Sequence, residues 1–116
     1  MLCQVAPQQF DEWLKQFAHD TPRPVVLDVR EPWECELASI HPPAGQWDLL
    51  CIPMGEVPAR MQELDPKRPV ACLCHHGVRS MRVAAYLVNQ GFGPVANITG
   101  GIDAWSHTYD VNVPRY

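Results

Sequence analysis

No run of eighteen apolar residues occurs anywhere in the chain, and Met1 to Phe10 carry neither a basic stretch nor an apolar block. These absences argue against a membrane span and a secretory leader, so the expected location is the cytoplasm. Positive charge is also in deficit: nine Lys and Arg face thirteen Asp and Glu, for a net charge of -4. Such a balance selects neither nucleic acid nor anionic lipid as a partner, and any anion site must be built locally. Cysteine is present without a framework. Cys3, Cys35, Cys51, Cys72 and Cys74 are odd in number and irregular in spacing, as expected of thiols that stay reduced. There is no internal repeat and no low-complexity tract. What the chain does have is 116 residues at 47% hydrophobic content, enough for one domain, residues 1–116, with a core that needs no staples.

Apolar segments alternate with helical patterns. Phe10, Trp13, Leu14 and Phe17 recur at helical spacing behind Pro7 and predict a first helix that ends before Asp20-Thr21-Pro22. Val25 to Val29 is an apolar, β-branched run bounded by prolines, the pattern of a strand buried on both faces. Leu49 to Ile52, Pro69 to Leu73 and Val95 to Ile98 are further strand candidates. Helical patterns occupy Pro32 to Leu37, Glu56 to Leu64, Arg79 to Gln90 and Ile102 to Ser106. This alternation predicts an α/β fold with right-handed crossovers and a parallel sheet covered on both sides. Functional groups in such folds gather beyond the carboxyl ends of the strands, where Asp28 and Arg30 follow one strand and Cys74 another. The proline-rich segment Ile40 to Asp48 reads as a surface loop, and the tail from Asp110 to Tyr116 has no usable period.

Cys74 opens the run Cys74-His75-His76-Gly77-Val78-Arg79-Ser80, between a buried strand and an amphipathic helix. Backbone amides in a tight strand-to-helix loop, backed by the positive end of a helix, stabilise negative charge at its centre. A thiol placed there is expected to ionise easily, and the thiolate is the nucleophilic form. The competing reading of an isolated cysteine after an apolar strand is core filling.

Three segments then appear in order: Leu27-Asp28-Val29-Arg30-Glu31-Pro32-Trp33-Glu34, the six-residue loop from Cys74 to Arg79 followed by Ser80, and Ile98-Thr99-Gly100-Gly101-Ile102-Asp103-Ala104-Trp105. Together they resemble the signatures of the rhodanese domain, in particular the stand-alone bacterial single-domain members. The resemblance implies a three-layer α/β/α fold around a mostly parallel sheet of about five strands. It also implies a thiosulfate sulfurtransferase-like enzyme. The cysteine matching Cys74 takes a sulfane sulfur from a small anionic donor such as thiosulfate, holds it as a persulfide and passes it to cyanide or a thiol. No metal or organic cofactor is implied. Within that reading the amides from His75 to Ser80 stabilise the sulfur, and Arg79 adds a positive charge to receive an anionic donor.

Other readings accompany this one. Cys72 lies on the same strand face as Cys74 and is expected to be buried and inert rather than a redox partner. Cys3, Cys35 and Cys51 read as structural or incidental. His75 and His76 either tune the thiolate or are solvated loop residues, and His19, His41 and His107 are expected at the surface. Asp28 and Arg30 are supporting residues, most simply an ion pair near the strand ends. Trp13, Trp33 and Trp105 are expected as core anchors. Cys72-x-Cys74-His75-His76 offers soft donors, but no second ligand cluster exists in the sequence to complete a zinc site. A phosphatase or arsenate reductase, whose fold and Cys-to-Arg loop are related, is a rival that the spacing disfavours, because its loop is one residue longer and cradles a larger anion than the four residues between Cys74 and Arg79 allow. A sulfur carrier serving a specific protein donor or acceptor is the main alternative, since thiosulfate-preferring rhodaneses often place arginine directly after the nucleophile and this chain has His75.

Overall fold

A computed structural model describes residues 2–17, 22–43 and 45–116. Five strands, β1 (Leu2–Val5), β2 (Val25–Asp28), β3 (Asp48–Cys51), β4 (Val70–Leu73) and β5 (Val95–Ile98), form one sheet in the order β1-β5-β4-β2-β3. Every pairing is parallel. The three central strands are buried along their whole length, as strands covered on both faces must be. β1 is the strand that the sequence pattern missed. It is an edge strand whose Cys3 and Gln4 are exposed, so it carries no continuous apolar run.

Helices α1 (Phe10–Lys15), α2 (Pro32–Leu37), α3 (Val78–Asn89) and α4 (Gly101–Thr108) connect and cover the strands. Alternate strand residues supply two cores. On one face Val26, Ala71, Leu73 and Ile98 pack with Phe10, Trp13, Trp47 and Trp105; on the other Leu27, Cys72 and Val95 pack with Val83 and Leu87 of α3. In the first core Phe10 meets Trp105 and Trp47 edge to face and stacks on Trp13. Phe10 lies 5.0 Å from Trp105 and 5.5 Å from Trp47, contacts of about 1 kcal/mol each beyond their buried area. The result is the three-layer α/β/α arrangement expected.

Several local expectations shift. Glu56 to Leu64 is not an α-helix but two 3-10 pieces, Met54–Glu56 and Pro58–Glu63, because Pro58 lacks the N–H that would join them. The proline-rich segment has no regular structure, yet Ile40 and Trp47 within it are buried, so it is pinned to the core at both ends. Trp13 and Trp105 are core anchors, whereas Trp33 is 60% exposed on α2. His41 and His107 are exposed; His19, Asp20 and Thr21 lie outside the described residues. α3 ends in a Schellman motif: Gly91 adopts φ +88°, its N–H reaches the Val88 carbonyl, and the N–H of buried Phe92 reaches Leu87. No helix among the described residues is long and apolar enough to cross a membrane.

Candidate active site

β4 delivers Cys74 to the carboxyl edge of the sheet, and the chain must then turn within four residues to enter α3. Gly77 makes this turn possible. At φ +102° it adopts a left-handed conformation that L side chains rarely take, and its N–H donates to Cys74 Sγ at 3.0 Å. The Ser80 N–H in the first turn of α3 donates to the same sulfur at 3.4 Å, and the thiol in turn lies 3.3 Å from the Ser80 hydroxyl oxygen. Cys74 is 1% exposed, but its sulfur sits in a polar cradle rather than in sealed apolar packing. Donors fixed before reaction and aimed at sulfur favour its anionic form and any negative charge that develops on an attached atom.

The loop keeps this shape because its carbonyls are held from outside. The Cys74 carbonyl accepts from the Ile102 N–H at 2.8 Å and the His75 carbonyl from the Asp103 N–H at 3.1 Å, both in the first turn of α4, where a helix has unpaired N–H groups. This close approach requires glycine at 101. A Cβ there would collide with the carbonyl oxygens of Cys74 and His75. Gly101, within the third of the segments that carry the resemblance, is therefore the wall of the active loop.

Behind the sulfur a buried polar chain runs toward β1. Ser80 Oγ donates to Asn97 Oδ1 at 2.5 Å, and Asn97 Nδ2 donates to the Gly77 carbonyl at 3.3 Å and to Gln4 Oε1 at 3.0 Å. Asn97 was not singled out by the sequence, since one polar residue in an apolar strand has no periodic signature.

Arg79 is not the free cation that the sequence suggests. Its two terminal nitrogens bind the carboxylate of Glu34 on α2 at 2.6 and 2.8 Å, and the Glu34 side chain is 4% exposed. The Arg79 hydrogen bonds, against the cost of burial, hold the Glu34 carboxyl at about 2, while Glu34 raises the Arg79 guanidinium further above its ordinary value. Tyr116 completes the arrangement. Its hydroxyl donates to Glu34 at 2.7 Å and accepts from Arg30 at 3.2 Å, and burial, foremost, pushes it up to about 12.

His75 stacks on the Tyr116 ring at 3.9 Å and hydrogen-bonds the Tyr116 main-chain oxygen at 2.9 Å. His76 stacks on His75 and lies 4.0 Å from Asp103. Among the described residues, hydrogen bonds to Cys74 Sγ involve Gly77 and Ser80 and neither histidine. Val78 turns outward and is 66% exposed. Asp28 and Arg30 form a fully buried pair, with Arg30 Nη2 2.7 Å from the carboxylate and further donations to the Glu34 and Ala38 carbonyls. They brace α2, and among the described residues their hydrogen bonds reach neither the loop nor the sulfur.

Two cysteines read as incidental come together. The sulfurs of Cys35 and Cys51 lie with an Asp28 oxygen inside 4.8 Å of one another, but the Asp28 carboxylate is engaged on both oxygens by Arg30. Burial, followed by the Asp28 charge, pushes Cys35 up to about 12. Burial also raises Cys72, which is wholly enclosed and lacks the cradle of Cys74. A groove of about 680 Å³ is lined by Leu14, Phe17, Pro24 and Gln46 near the amino ends of β2 and β3, away from this chemistry.

Comparison with known proteins agrees with this geometry. Residues 10–108 match the rhodanese-like domain family. A sulfurtransferase from Allochromatium vinosum is 39% identical over 95 residues, covering 82% of this chain and 83% of that protein. A thiosulfate sulfurtransferase GlpE from Pseudomonas syringae is 36% identical over 85 residues, covering 73% and 74% respectively. The crystal structure of a rhodanese-related protein from Thermoplasma volcanium superposes with a TM-score of 0.70 at 27% identity, over 92% of this chain and 93% of that one. With a cysteine cradled by main-chain amides at the carboxyl edge of a parallel sheet, and with these relatives across most of its length, the chain belongs to the rhodanese-like domain family of sulfurtransferases.

Proposed function

We propose that the protein transfers sulfane sulfur through a persulfide on Cys74. The Cys74 thiolate attacks the outer sulfur of a donor such as thiosulfate. The sulfur–sulfur bond of the donor breaks and sulfite leaves with the bonding electron pair. An acceptor thiolate or cyanide then attacks the sulfane sulfur, and Cys74 departs as a thiolate. Every electron pair is accounted for without a cofactor. The observation that supports this most is the pair of N–H groups from Gly77 and Ser80 on Cys74 Sγ, since the same donors favour both the attacking and the leaving thiolate. The loop has four residues between Cys74 and Arg79, one fewer than a phosphatase loop, which favours a sulfur atom over a tetrahedral phosphate as its guest.

A second reading, relay to or from a partner protein, draws support from exposed apolar side chains beside the loop. Val78 is 66% exposed, and Trp33, next in sequence to the Arg79-bound Glu34, is 60% exposed. Intact mass spectrometry after incubation with thiosulfate tests the common step. The expected result is an increment of about 32 Da, one sulfur atom, in the wild type and none in Cys74→Ser. A serine variant that still gained sulfur would refute the assignment.

A further inference from the structure

Arg79, Arg30 and Arg115 each have a carboxylate partner, whereas Arg82, on the next turn of α3, has none among the described residues. Arg79, inside the loop, is bound through both terminal nitrogens to Glu34. Arg30 faces Asp28, and Arg115 lies 3.3 Å from Asp103, the residue beside His76. The main-chain cradle can hold a single anionic sulfur, but Arg79, the arginine of the loop, is compensated by Glu34 and is not free for a donor that arrives with two negative charges. The whole chain, at -4, adds repulsion rather than attraction.

Glu34 is the residue that decides this. It is 3% exposed and held in place from three sides: by Arg79, by the Tyr116 hydroxyl and by its own capping contact to the Glu31 N–H at 3.0 Å. A carboxylate fixed so firmly is not displaced by a small dianion competing for the same guanidinium.

We propose that Glu34 sets the charge class of the sulfur donor: by neutralising Arg79 it disfavours the thiosulfate dianion and leaves the site suited to persulfides of thiols, R–S–SH. The inference rests on the persulfide reading above. In this step the Cys74 thiolate attacks the outer sulfur of R–S–SH. The donor S–S bond breaks, R–S⁻ leaves with the electron pair, and Cys74–S–SH forms. The negative charge that begins on Cys74 leaves on R–S⁻ and the neutral donor brings none, so the Gly77 and Ser80 amides face at most one anionic sulfur at a time. Attack on thiosulfate instead gathers three negative charges around a loop whose only arginine is already paired. Glu34 is thus a specificity-determining residue that acts through Arg79.

The test compares rates of sulfur loading on Cys74, read by intact mass, from thiosulfate and from 2-hydroxyethyl persulfide, a donor without other charge. Taking the ratio of the two rates in wild type and in Glu34→Gln cancels the intrinsic reactivity of the donors. The expected result is a shift of about ten-fold or more toward thiosulfate in Glu34→Gln, with persulfide loading little changed. A ratio that stays within about two-fold in the folded variant overturns the proposal. A measurement on the wild type covers the case in which the variant does not fold. Thiosulfate loading should stay level or rise with added salt, because only repulsion is screened; a fall with salt would reveal a free cation and overturn the proposal. If neither donor adds sulfur to wild-type Cys74, the persulfide reading itself fails and takes the inference with it. Loading by both donors with an unshifted ratio sinks the inference alone.

Discussion

The Ser80 hydroxyl donates to Asn97 Oδ1 at 2.5 Å, from the first turn of α3 to the strand β5, and both residues are buried. Because that hydrogen is committed to Asn97, Ser80 Oγ is free to accept from the Cys74 thiol, 3.3 Å away. When the thiol loses its proton, two N–H donors remain on the sulfur, and the hydroxyl can turn toward it only by abandoning Asn97.

Ser80→Ala is therefore expected to leave sulfur loading of Cys74 within about five-fold of wild type, because both N–H donors to the sulfur are main-chain and only one neutral hydrogen bond of about 1 kcal/mol, made to the thiol, is lost. It should also lower stability by about 1–3 kcal/mol, since Asn97 Oδ1 is left buried without a donor. Single-turnover mass spectrometry and urea unfolding measure the two effects separately. A loss of loading as complete as that of Cys74→Ser would show that Ser80 does more than orient the thiol.

Gly101→Ala should be more damaging than its size suggests. The added methyl meets the carbonyl oxygens of Cys74 and His75, and φ at this position is +60°. The loop must then leave α4 and lose the two hydrogen bonds that hold its carbonyls outward. Loading is expected to fall by about 100-fold or more, the scale of losing oriented amides at a reacting atom. A variant that loads sulfur at the wild-type rate would contradict the role given to this contact.

Acid stability follows from Glu34. Its folded-state value of about 2 lies below the ordinary 4.5, so the pair contributes stability that is present above pH 4.5 and is lost as pH falls toward 2. The difference amounts to about 3 kcal/mol. Urea midpoints of the wild type should drop over that window, and those of Glu34→Gln should drop less. Parallel curves for the two proteins would show that the pairing contributes nothing to stability.

The Asp28–Arg30 pair predicts a stability defect rather than a chemical one. Arg30→Met leaves the Asp28 carboxylate buried without its cation, which costs about 3–5 kcal/mol and lowers the melting temperature by more than about 10 °C. Protein that remains folded at low temperature should still load sulfur on Cys74. Loading lost in folded protein would place Arg30 closer to the chemistry than its contacts do.

How far the sequence reached depended on whether a feature is local. The central strands Val25–Asp28, Val70–Leu73 and Val95–Ile98 were legible because strands buried on both faces leave continuous apolar runs. Cys74 was legible for the same reason, as a cysteine at the end of such a run before an amphipathic helix. β1 was not, because an edge strand with exposed Cys3 and Gln4 leaves no such run. Trp33 was misplaced for a related reason: tryptophan is more often buried than not, and composition alone does not tell which face of a six-residue helix looks outward.

By itself the chain order determined the parallel sheet, the position of Cys74 at its carboxyl edge, and the tight loop that turns back on the sulfur, where of the amides expected from His75 to Ser80 those of Gly77 and Ser80 reach it. Tertiary structure alone decided what surrounds that loop. Arg79 meets Glu34 across 45 residues, and Tyr116 reaches Glu34 across 82. Asn97 meets Ser80 across 17 residues, and Gly101 backs the carbonyl of Cys74. Such contacts depend on which strand ends the sheet brings side by side, and side-chain charge carries no record in the sequence of the partner that will cancel it.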